Sequence, residues 1–224
     1  MREIILDTET TGLDPDAGHR IVEIGCVELL HRLPSGRQFQ KHLNPERDMP
    51  QEAQAVHGLT AEFLAGQPKF SEIVEEFLEF IGTAPLVIHN AQFDLKFLNA
   101  ELARLGKPTI EPARAVDTVA LARRRFPGAQ ASLDALCRRF EIDNSARSVH
   151  GALLDCQLLA DVYLELSGGR QAGFDLDPAR RAAALGTPNR ERPNRPARAH
   201  EPTPEETAAH EALLARMKDP VWRQ

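Results

Sequence analysis

Short apolar runs and longer amphipathic segments alternate along the first 169 residues of the chain. Runs with the length and composition of strands lie at residues 3–8, 20–30, 36–43, 86–88 and 114–116. Segments with helical periodicity lie at residues 71–82, 91–105, 118–125, 132–139 and 150–167. Three strands in succession, followed by alternating helices and strands, predict antiparallel hairpins joined to parallel strands. The predicted fold class is therefore α/β, with a mixed sheet flanked by helices.

Turn and capping residues set the expected ends of these elements. Pro34-Ser35-Gly36 is a turn signal ahead of the third strand, and Gly168-Gly169 would end the last helix. Ser71, Asn90 and Asp117 are the expected N-caps of three helices, because their side chains can accept hydrogen bonds from the free N–H groups of a first turn. Asp117 is accordingly interpreted as a cap and not as a metal ligand.

Four acids occupy positions that these elements would bury. Asp7 and Glu9 follow the apolar run Ile4-Ile5-Leu6, and both point to the same face because side chains alternate along a strand. Asp94 and Asp155 each head an apolar helical stripe, where the core would otherwise hold a hydrophobic residue. The stripes are Leu98, Leu102 and Leu105 behind Asp94, and Leu159, Val162 and Leu166 behind Asp155. Both helical acids are expected to face inward.

Converging carboxylates indicate a site for divalent cations. They would repel one another and raise each other's pKa values, and a divalent cation is the simplest way to keep them ionised. Oxygen ligands favour Mg²⁺ or Mn²⁺ over Zn²⁺. Two ions about 3.5–4 Å apart can stabilise the attacking and leaving oxygens of phosphodiester hydrolysis, which still needs a base to take a proton from water. His150 suits that base, because histidine has a reference pKa of about 6.5. It lies five residues before Asp155, off the helical face of that acid, and is expected to project from the loop at the start of the last helix.

Each of these residues also has a purely structural explanation. Asp7 and Glu9 alone would fit a solvated turn. Asp94 and Asp155 would fit first-turn acids that complement a helix dipole, and His150 would fit a surface residue. His57, which precedes a glycine, fits a turn as well as a substrate contact. The joint arrangement favours the metal centre, because three separate coincidences would each have to point inward.

Several motifs carry a resemblance to a known family. Asp7-x-Glu9, the block His89–Leu98 and His150-x-Ala152-x-x-Asp155 resemble, in order and spacing, the three motifs of the DEDD exonucleases in the branch that uses histidine. A closer resemblance, to the epsilon-subunit family of bacterial DNA polymerase III, is carried by residues 6–13, 56–58, 132–137 and 141–145. The fold that this resemblance implies is ribonuclease-H-like.

The resemblance also implies an activity and roles for the site residues. The activity is 3′ to 5′ removal of nucleotides, as proofreading of mismatched DNA primer ends. Asp7, Glu9 and Asp155 would bind one metal ion, Asp7 would be shared with a second ion supported by Asp94, and His150 would activate the water. The 3′-terminal nucleotide would be held by Thr10, Leu13, Val56, His57 and Phe93.

Net charge and cysteine spacing indicate how the chain meets DNA and whether its cysteines are reduced. Residues 1–169 carry 17 Lys or Arg and 25 Asp or Glu, a net charge of −8, whereas residues 170–224 carry a net charge of +2. So acidic a domain lacks a broad basic surface for DNA, and we expect a partner to deliver the substrate. Cys26, Cys137 and Cys156 show no C-x-x-C spacing, which argues against zinc and for reduced thiols.

Two further features favour a cytoplasmic protein. No apolar stretch reaches the roughly 18 residues of a membrane span, so no membrane contact is expected. The first predicted strand begins at residue 3, and we therefore expect no signal peptide.

The chain beyond residue 169 divides into two parts. Residues 170–202 contain five prolines among Arg and Ala, and this composition predicts a flexible linker. Within it, Gln171-Ala172-Gly173-Phe174-Asp175-Leu176 resembles the Gln-led peptides that bind the sliding clamp, the alternative being plain linker.

Order is expected to return in residues 203–224. Thr203-Pro204-Glu205-Glu206 has the form of a capping box, and Leu213 and Met217 share a helical stripe that precedes Trp222. The segment resembles the part of the epsilon family that binds the polymerase alpha subunit, the alternative being a frayed end.

The sequence therefore predicts a proofreading exonuclease with a catalytic domain at 1–169, a flexible linker at 170–202 and a polymerase-binding segment at 203–224. One alternative is a free-standing exoribonuclease or single-strand DNase of the same superfamily, which would not need the tail. The other is a non-catalytic tether that stabilises a polymerase. The intact acids argue against the tether, because a structural subunit has no physical need for a costly carboxylate cluster.

Overall fold

The computed structural model describes residues 1–145, 147, 149–169 and 201–217. The strands are β1 (Arg2–Thr10), β2 (Ile21–Leu30), β3 (Leu33–His42), β4 (Leu86–Ile88) and β5 (Ala115–Asp117). The helices are α1 (Gln51–His57), α2 (Ala61–Ala65), α3 (Phe70–Ile81), α4 (Ala91–Arg104), α5 (Thr118–Arg125), α6 (Leu133–Arg139), α7 (Ala152–Leu166) and α8 (Pro204–Ala215). Short 3₁₀ helices lie at Pro15–Ala17 and Pro112–Arg114.

The strands form one mixed sheet in the order β3-β2-β1-β4-β5. β1, β2 and β3 pair antiparallel, whereas β4 is parallel to both β1 and β5. This is the predicted architecture of hairpins joined to parallel strands. Because side chains alternate, Ile4 and Leu6 of β1 pack with α3 and α4 on one face, while Ile5 packs with α6 and α7 on the other. The central strand is thereby covered on both sides.

The turn between β2 and β3 differs from the prediction. Leu30 pairs with Leu33, so the turn consists of His31 and Arg32, whose φ angles are 54° and 68°. A two-residue turn with positive φ at both positions matches the twist of the flanking strands. The predicted turn at Pro34-Ser35-Gly36 is therefore wrong, and these residues belong to β3, where the register shifts opposite Glu28.

Helix ends follow the expected chemistry in part. Asp117 caps α5 as predicted, since its Oδ1 accepts from the N–H of Val119 at 2.8 Å. Asn90 occupies the N-cap position of α4 as predicted, but its backbone is left-handed with φ of 67° and its side chain makes no capping hydrogen bond. Ser71 is also not a cap, because α3 begins one residue earlier at Phe70. The double glycine after α7 ends the helix as predicted, with positive φ at both residues.

Two short helices between β3 and α3 were not predicted. α1 and α2 have seven and five residues, which is too short for a helical period to be read from the sequence. α1 ends with Val56 and His57, two of the predicted substrate contacts.

Gly25 brings α7 against the sheet. It pairs with Asp7 across the β1–β2 ladder, and a Cβ atom at Gly25 would lie 2.4 Å from the carbonyl carbon of Ala152. The first turn of α7 is further tied to β2 because Glu23 Oε2 accepts from the N–H of Ala152 at 3.1 Å. The absence of a side chain at Gly25 therefore lets Asp155, one turn further along α7, approach Asp7.

Residues 201–217 form a second unit, which is described by itself. The capping box of α8 is confirmed, since Thr203 Oγ1 accepts from the N–H of Glu206 at 3.3 Å and Glu206 Oε2 accepts from the N–H of Thr203 at 2.8 Å. α8 ends at Ala215, so Met217 lies past its end. Trp222 and most of the predicted linker, including residues 171–176, lie outside the described residues. Within the described chain, no helix combines the length and the apolarity needed to cross a membrane.

Replacing Gly25 with alanine is expected to destabilise the protein and displace the first turn of α7. The added Cβ would meet backbone atoms, which cannot rotate away, and overpacking of this kind costs about 1–3 kcal/mol. Urea denaturation followed by circular dichroism measures the loss. Gly66→Ala is the matched control, because nothing lies within 4 Å of a Cβ at Gly66 and its φ is −88°. Equal stability of the two variants would contradict this account of Gly25.

Candidate active site

The four predicted acids come together at the end of β1. Asp94 on α4 and Asp155 on α7 approach from opposite faces of the sheet, and both lie close enough to Asp7 to raise its pKa. Asp94 and Asp155 are only 2% and 4% exposed, so the prediction that they face inward is confirmed. Leu105, by contrast, is 38% exposed because α4 ends at Arg104.

Asp94 is held in place by β1 itself. Its Oδ1 accepts two hydrogen bonds from Thr8, from the backbone N–H at 3.0 Å and from Oγ1 at 2.8 Å. Thr8 lies between Asp7 and Glu9 and points to the opposite face of the strand. The Asp-Thr-Glu tripeptide thus supplies two acids to one face and fixes a third acid on the other.

Asp155 is bound by an arginine that the sequence analysis did not single out. Arg147 Nε and Nη2 donate to the two carboxylate oxygens of Asp155 at 2.6 and 2.7 Å. Arg147 Nη1 also donates to Asp134 Oδ1 on α6 at 2.8 Å. The remaining contact of Nη2 is to His150 Nδ1, at 2.9 Å.

His150 lies on the loop before α7, as predicted. Its side chain is 47% exposed, its backbone N–H donates to the carbonyl of Val56 at 3.0 Å, and its Nδ1 lies 3.4 Å from Asp155 Oδ2. One potential ligand atom each from Glu9, His150 and Asp155 lie within 4.8 Å of one another. The histidine is therefore placed beside the acids without being part of α7.

Burial raises the pKa values of the acids on β1 and α4. It is the main cause that raises the pKa of Glu9 to about 8, with repulsion from Asp155 next. Burial likewise raises the pKa of Asp94 to about 7, although the hydrogen bonds from Thr8 lower it. The pKa of Asp7 is raised well above its usual value, by burial first and then by Asp94. Without added cations, this cluster retains protons near neutral pH.

A cavity of about 510 Å³ opens beside the acids. Its lining includes Glu9 and all five residues that the sequence analysis assigned to the terminal nucleotide, namely Thr10, Leu13, Val56, His57 and Phe93. Leu13 and Val56 are 84% and 48% exposed, so large apolar side chains face open space at this rim. The structure thus brings the predicted substrate contacts together, and their binding role stays a prediction.

His57 is buried at this cavity with one unpartnered nitrogen. Nδ1 accepts from the N–H of Leu59 at 3.0 Å, which leaves the proton of a neutral ring on Nε2. Burial lowers the pKa of His57 and thus favours that neutral ring. Among the described residues, Nε2 makes no hydrogen bond of ordinary geometry, although the Thr10 backbone lies close enough to raise the pKa of the ring against the effect of burial. A buried donor of this kind is free for a ligand oxygen in the cavity.

Three charged residues at the site, Arg147, Asp134 and Glu23, were not predicted. Arg147 and Asp134 lie neither in the motif that ends at Asp155 nor in an apolar stripe that would mark them as buried. Glu23 has an indirect signal, because it occupies an apolar strand and is 3% exposed. Arg147 has no pattern of its own, since its partners lie on α6 and α7.

Comparisons with known proteins agree with the family resemblance seen in the sequence motifs. The family model described as Exonuclease matches residues 4–163. The DNA polymerase III subunit epsilon of Rickettsia conorii is 56% identical, over 79% of this chain and 78% of that protein. The subunits of the same name from Salmonella typhimurium and Escherichia coli are 49% and 48% identical, over 75% of this chain and 72% of each relative.

Solved structures share the fold. Exonuclease X in complex with 5′ overhanging duplex DNA is similar with a TM-score of 0.59 and 27% identity, over 73% of this chain and 90% of that chain. The nuclease domain of 3′hExo, a DEDDh family member bound to rAMP, has a TM-score of 0.64 at 20% identity, over 74% of this chain and 90% of that chain. The second likeness shows the fold alone.

The fold and these comparisons define a 3′ to 5′ exonuclease. This chain belongs to the family of DNA polymerase III epsilon subunits, and its function is that of a proofreading exonuclease. The family implies divalent metal ions, and the residues present fit them: the clustered ligands are carboxylates, which hard divalent cations prefer.

The raised carboxyl pKa values predict a pH-dependent response to metal. Between the reference pKa of about 4 and the folded pKa of about 7 (Asp94) or about 8 (Glu9), the folded metal-free protein binds more protons than the unfolded chain. Its stability therefore falls as pH rises through this window. Divalent cations replace those protons, so the rise in Tm caused by Mg²⁺ should be larger at about pH 8 than at about pH 6.

Differential scanning calorimetry in chelator and in Mg²⁺ at both pH values makes this measurement. Replacing Glu9 and Asp94 by their amides should remove most of the pH dependence of the Mg²⁺ effect. An equal Mg²⁺-induced rise in Tm at both pH values in the unmodified protein would contradict the electrostatic account.

Proposed function

We propose that this chain removes mismatched nucleotides from the 3′ ends of DNA primers with two divalent cations, Mg²⁺ or Mn²⁺, held by the carboxylate cluster. The observation that carries the proposal is the convergence of four acids and His150 beside a cavity of about 510 Å³. That volume falls in the range of small-ligand sites and suits one nucleotide. The site is therefore built for the end of a strand.

The carboxylates divide between the two cations. Asp7, Glu9 and Asp155 would hold one cation, and Asp7 with Asp94 would hold the other. When bound, the cations would supply positive charge that stabilises the oxygens on which negative charge develops during hydrolysis. The hydrogen bonds from Thr8 fix Asp94, and its carboxylate is thereby oriented before any cation binds.

His150 acts as the general base. Its Nδ1, which lies 3.4 Å from Asp155 Oδ2, takes a proton from the attacking water as the water oxygen bonds to phosphorus and the 3′ oxygen of the preceding nucleotide leaves. The half-exposed ring can deliver that proton to solvent afterwards. Its hydrogen bond to the Val56 carbonyl links the base to α1, which also lines the cavity.

The cavity holds the 3′-terminal nucleotide. Leu13, Val56 and Phe93 supply apolar contacts to the base or sugar, and Thr10 lines the same wall. His57 Nε2 donates to an oxygen of that nucleotide, which would satisfy its buried proton. Contacts of this type recognise an unpaired end without reading its sequence.

A single carboxylate tests the catalytic proposal. Asp7→Asn should reduce hydrolysis of a 5′-labelled primer with a 3′ mismatch by at least about a thousandfold, because both cations share this ligand. Products are resolved by length with Mg²⁺ and with chelator, on DNA and on the matching RNA. Asp161→Asn, an exposed acid on α7, is the control and should retain full activity. Wild-type rates in Asp7→Asn would refute the site, and faster cleavage of RNA would favour an exoribonuclease.

We further propose that residues 203–224 bind the alpha subunit of DNA polymerase III, and that the protein works in the bacterial cytoplasm. The relatives are named as subunits of that polymerase, and Leu213 and Met217 are 56% and 43% exposed on the second unit. Exposed apolar residues on a short capped helix, and just past its end, are typical of a segment that packs on a partner. Three buried free cysteines agree with a reducing compartment.

Trp222 would add an aromatic anchor to this segment, and residues 171–176 would contact the sliding clamp; both remain sequence predictions. A polymerase partner also accounts for DNA delivery to an acidic domain with few means of holding DNA by itself.

The tail is tested by binding and activity in parallel. Leu213→Asp should weaken binding to purified alpha subunit by at least about tenfold and leave exonuclease activity unchanged, because a charge would have to be buried at the contact. Trp222→Ala should act in the same direction. Glu211→Gln on the same helix is the control, and surface plasmon resonance measures all of them. Full binding after deletion of residues 203–224 would end this proposal.

A further inference from the structure

One arginine hydrogen-bonds to both the proposed metal ligand Asp155 and the proposed general base His150. Arg147 is 9% exposed at its side chain, and its guanidinium donates to both oxygens of Asp155 and to His150 Nδ1. Its third nitrogen donates to Asp134. The permanently charged guanidinium therefore holds a metal ligand and the proposed base at the same time.

Arg147 takes the position of a cation among the acids and neutralises the buried charge of Asp155. Asp155 is 4% exposed, and a buried carboxylate without a partner is costly. A planar guanidinium can donate two parallel hydrogen bonds to one carboxylate. The hydrogen bond to Asp155 raises the pKa of Arg147 above its usual value, so the guanidinium stays charged. The pair is thus well suited to the metal-free protein.

The same contacts conflict with catalysis. A cation bound by Asp155 would share an oxygen with the guanidinium, and the two positive charges would repel each other at a buried site. His150 Nδ1 cannot take a proton from water while it accepts a hydrogen bond from Arg147 Nη2. The arrangement around Arg147 must therefore change when the site binds its metal ions.

Asp134 can keep its hydrogen bond to the guanidinium of Arg147 during that change. It belongs to α6, it is 44% exposed at its side chain, and its Oδ1 also accepts from Asn144 Nδ2 at 3.1 Å. Release of Asp155 would leave Arg147 paired with Asp134 and not as a buried isolated charge.

We infer that Arg147 is the internal counter-ion of the metal-free centre, and that a divalent cation binds by taking Asp155 and His150 away from it while Asp134 retains the guanidinium. The inference rests on the proposed role of Asp155 as a metal ligand. It makes metal binding and the release of His150 Nδ1 from its hydrogen bond with Arg147 one event.

The test measures metal affinity and stability apart from activity. Arg147→Gln should lower the Tm in chelator, because Asp155 loses its charged partner, and should bind Mn²⁺ about tenfold more tightly by electron paramagnetic resonance titration, because the competitor is gone. Asp134→Asn should act in the opposite direction on Mn²⁺ affinity, because the released guanidinium would lose its second anchor. Arg138→Gln and Asp161→Asn, exposed residues on α6 and α7, control for the changes of charge.

The outcomes separate this inference from the proposed function. If the unmodified protein binds no Mn²⁺ and cleaves no DNA, the proposed function fails. If it does both, and Arg147→Gln binds Mn²⁺ as weakly as or more weakly than the unmodified protein, Arg147 supports Asp155 and is no competitor, and the inference is overturned.

A measurement on the unmodified protein covers the case in which Arg147→Gln does not fold. The Nε–H resonance of Arg147, assigned by its loss in Arg147→Lys, should shift and exchange faster with water on saturation with Mg²⁺. An unchanged resonance at saturating Mg²⁺ would equally overturn the inference.

Discussion

Mutual repulsion among four carboxylates at the end of β1 is the constraint on which the rest of this structure depends. Two of them come from one strand, and the other two reach it on helices from opposite faces of the sheet. Each nearby feature offsets that repulsion or fixes an acid against it: Thr8 binds Asp94, Arg147 binds Asp155, and Gly25 lets α7 come close enough. What remains is met by protons in the metal-free state, as the raised pKa values of Glu9 and Asp94 indicate.

The cavity beside the acids also involves β1, but its walls are formed mainly by apolar side chains and not by charges. Thr10 continues β1 past the acids, while Val56 and His57 come from α1 and Phe93 from the first turn of α4. The hydrogen bond from the His150 amide to the Val56 carbonyl joins the two regions. A change that moves α1 would therefore act on the proposed base as well as on the proposed nucleotide site.

Local patterns predicted the strands, the long helices and the four acids, because each is encoded by its neighbours in sequence. Asp94 and Asp155 were identifiable because a charge interrupts an apolar stripe, and His150 because it precedes that stripe. Arg147 was not, since its partners Asp134 and Asp155 are assembled only by packing of α6 on α7. The turn at His31 and Arg32 was not predicted for another reason, because neither residue is a typical turn former. The stronger turn signal, Pro34-Ser35-Gly36, lies inside β3, where the pairing with β2 is irregular.

The selectivity for mismatched ends follows from what the cavity lacks. Under the proposed function, the apolar side chains of Leu13, Val56 and Phe93 would accept any base, and the acidic domain would not attract DNA toward the site. A paired end must first separate from its template strand to reach the carboxylates. That separation costs a few kcal/mol, and the cost is lowest when the terminal pair is mismatched. Discrimination is therefore supplied by the DNA and by whatever holds it near the site. A tethered arrangement suits this chemistry, because a site of low intrinsic affinity samples only those ends that are already frayed.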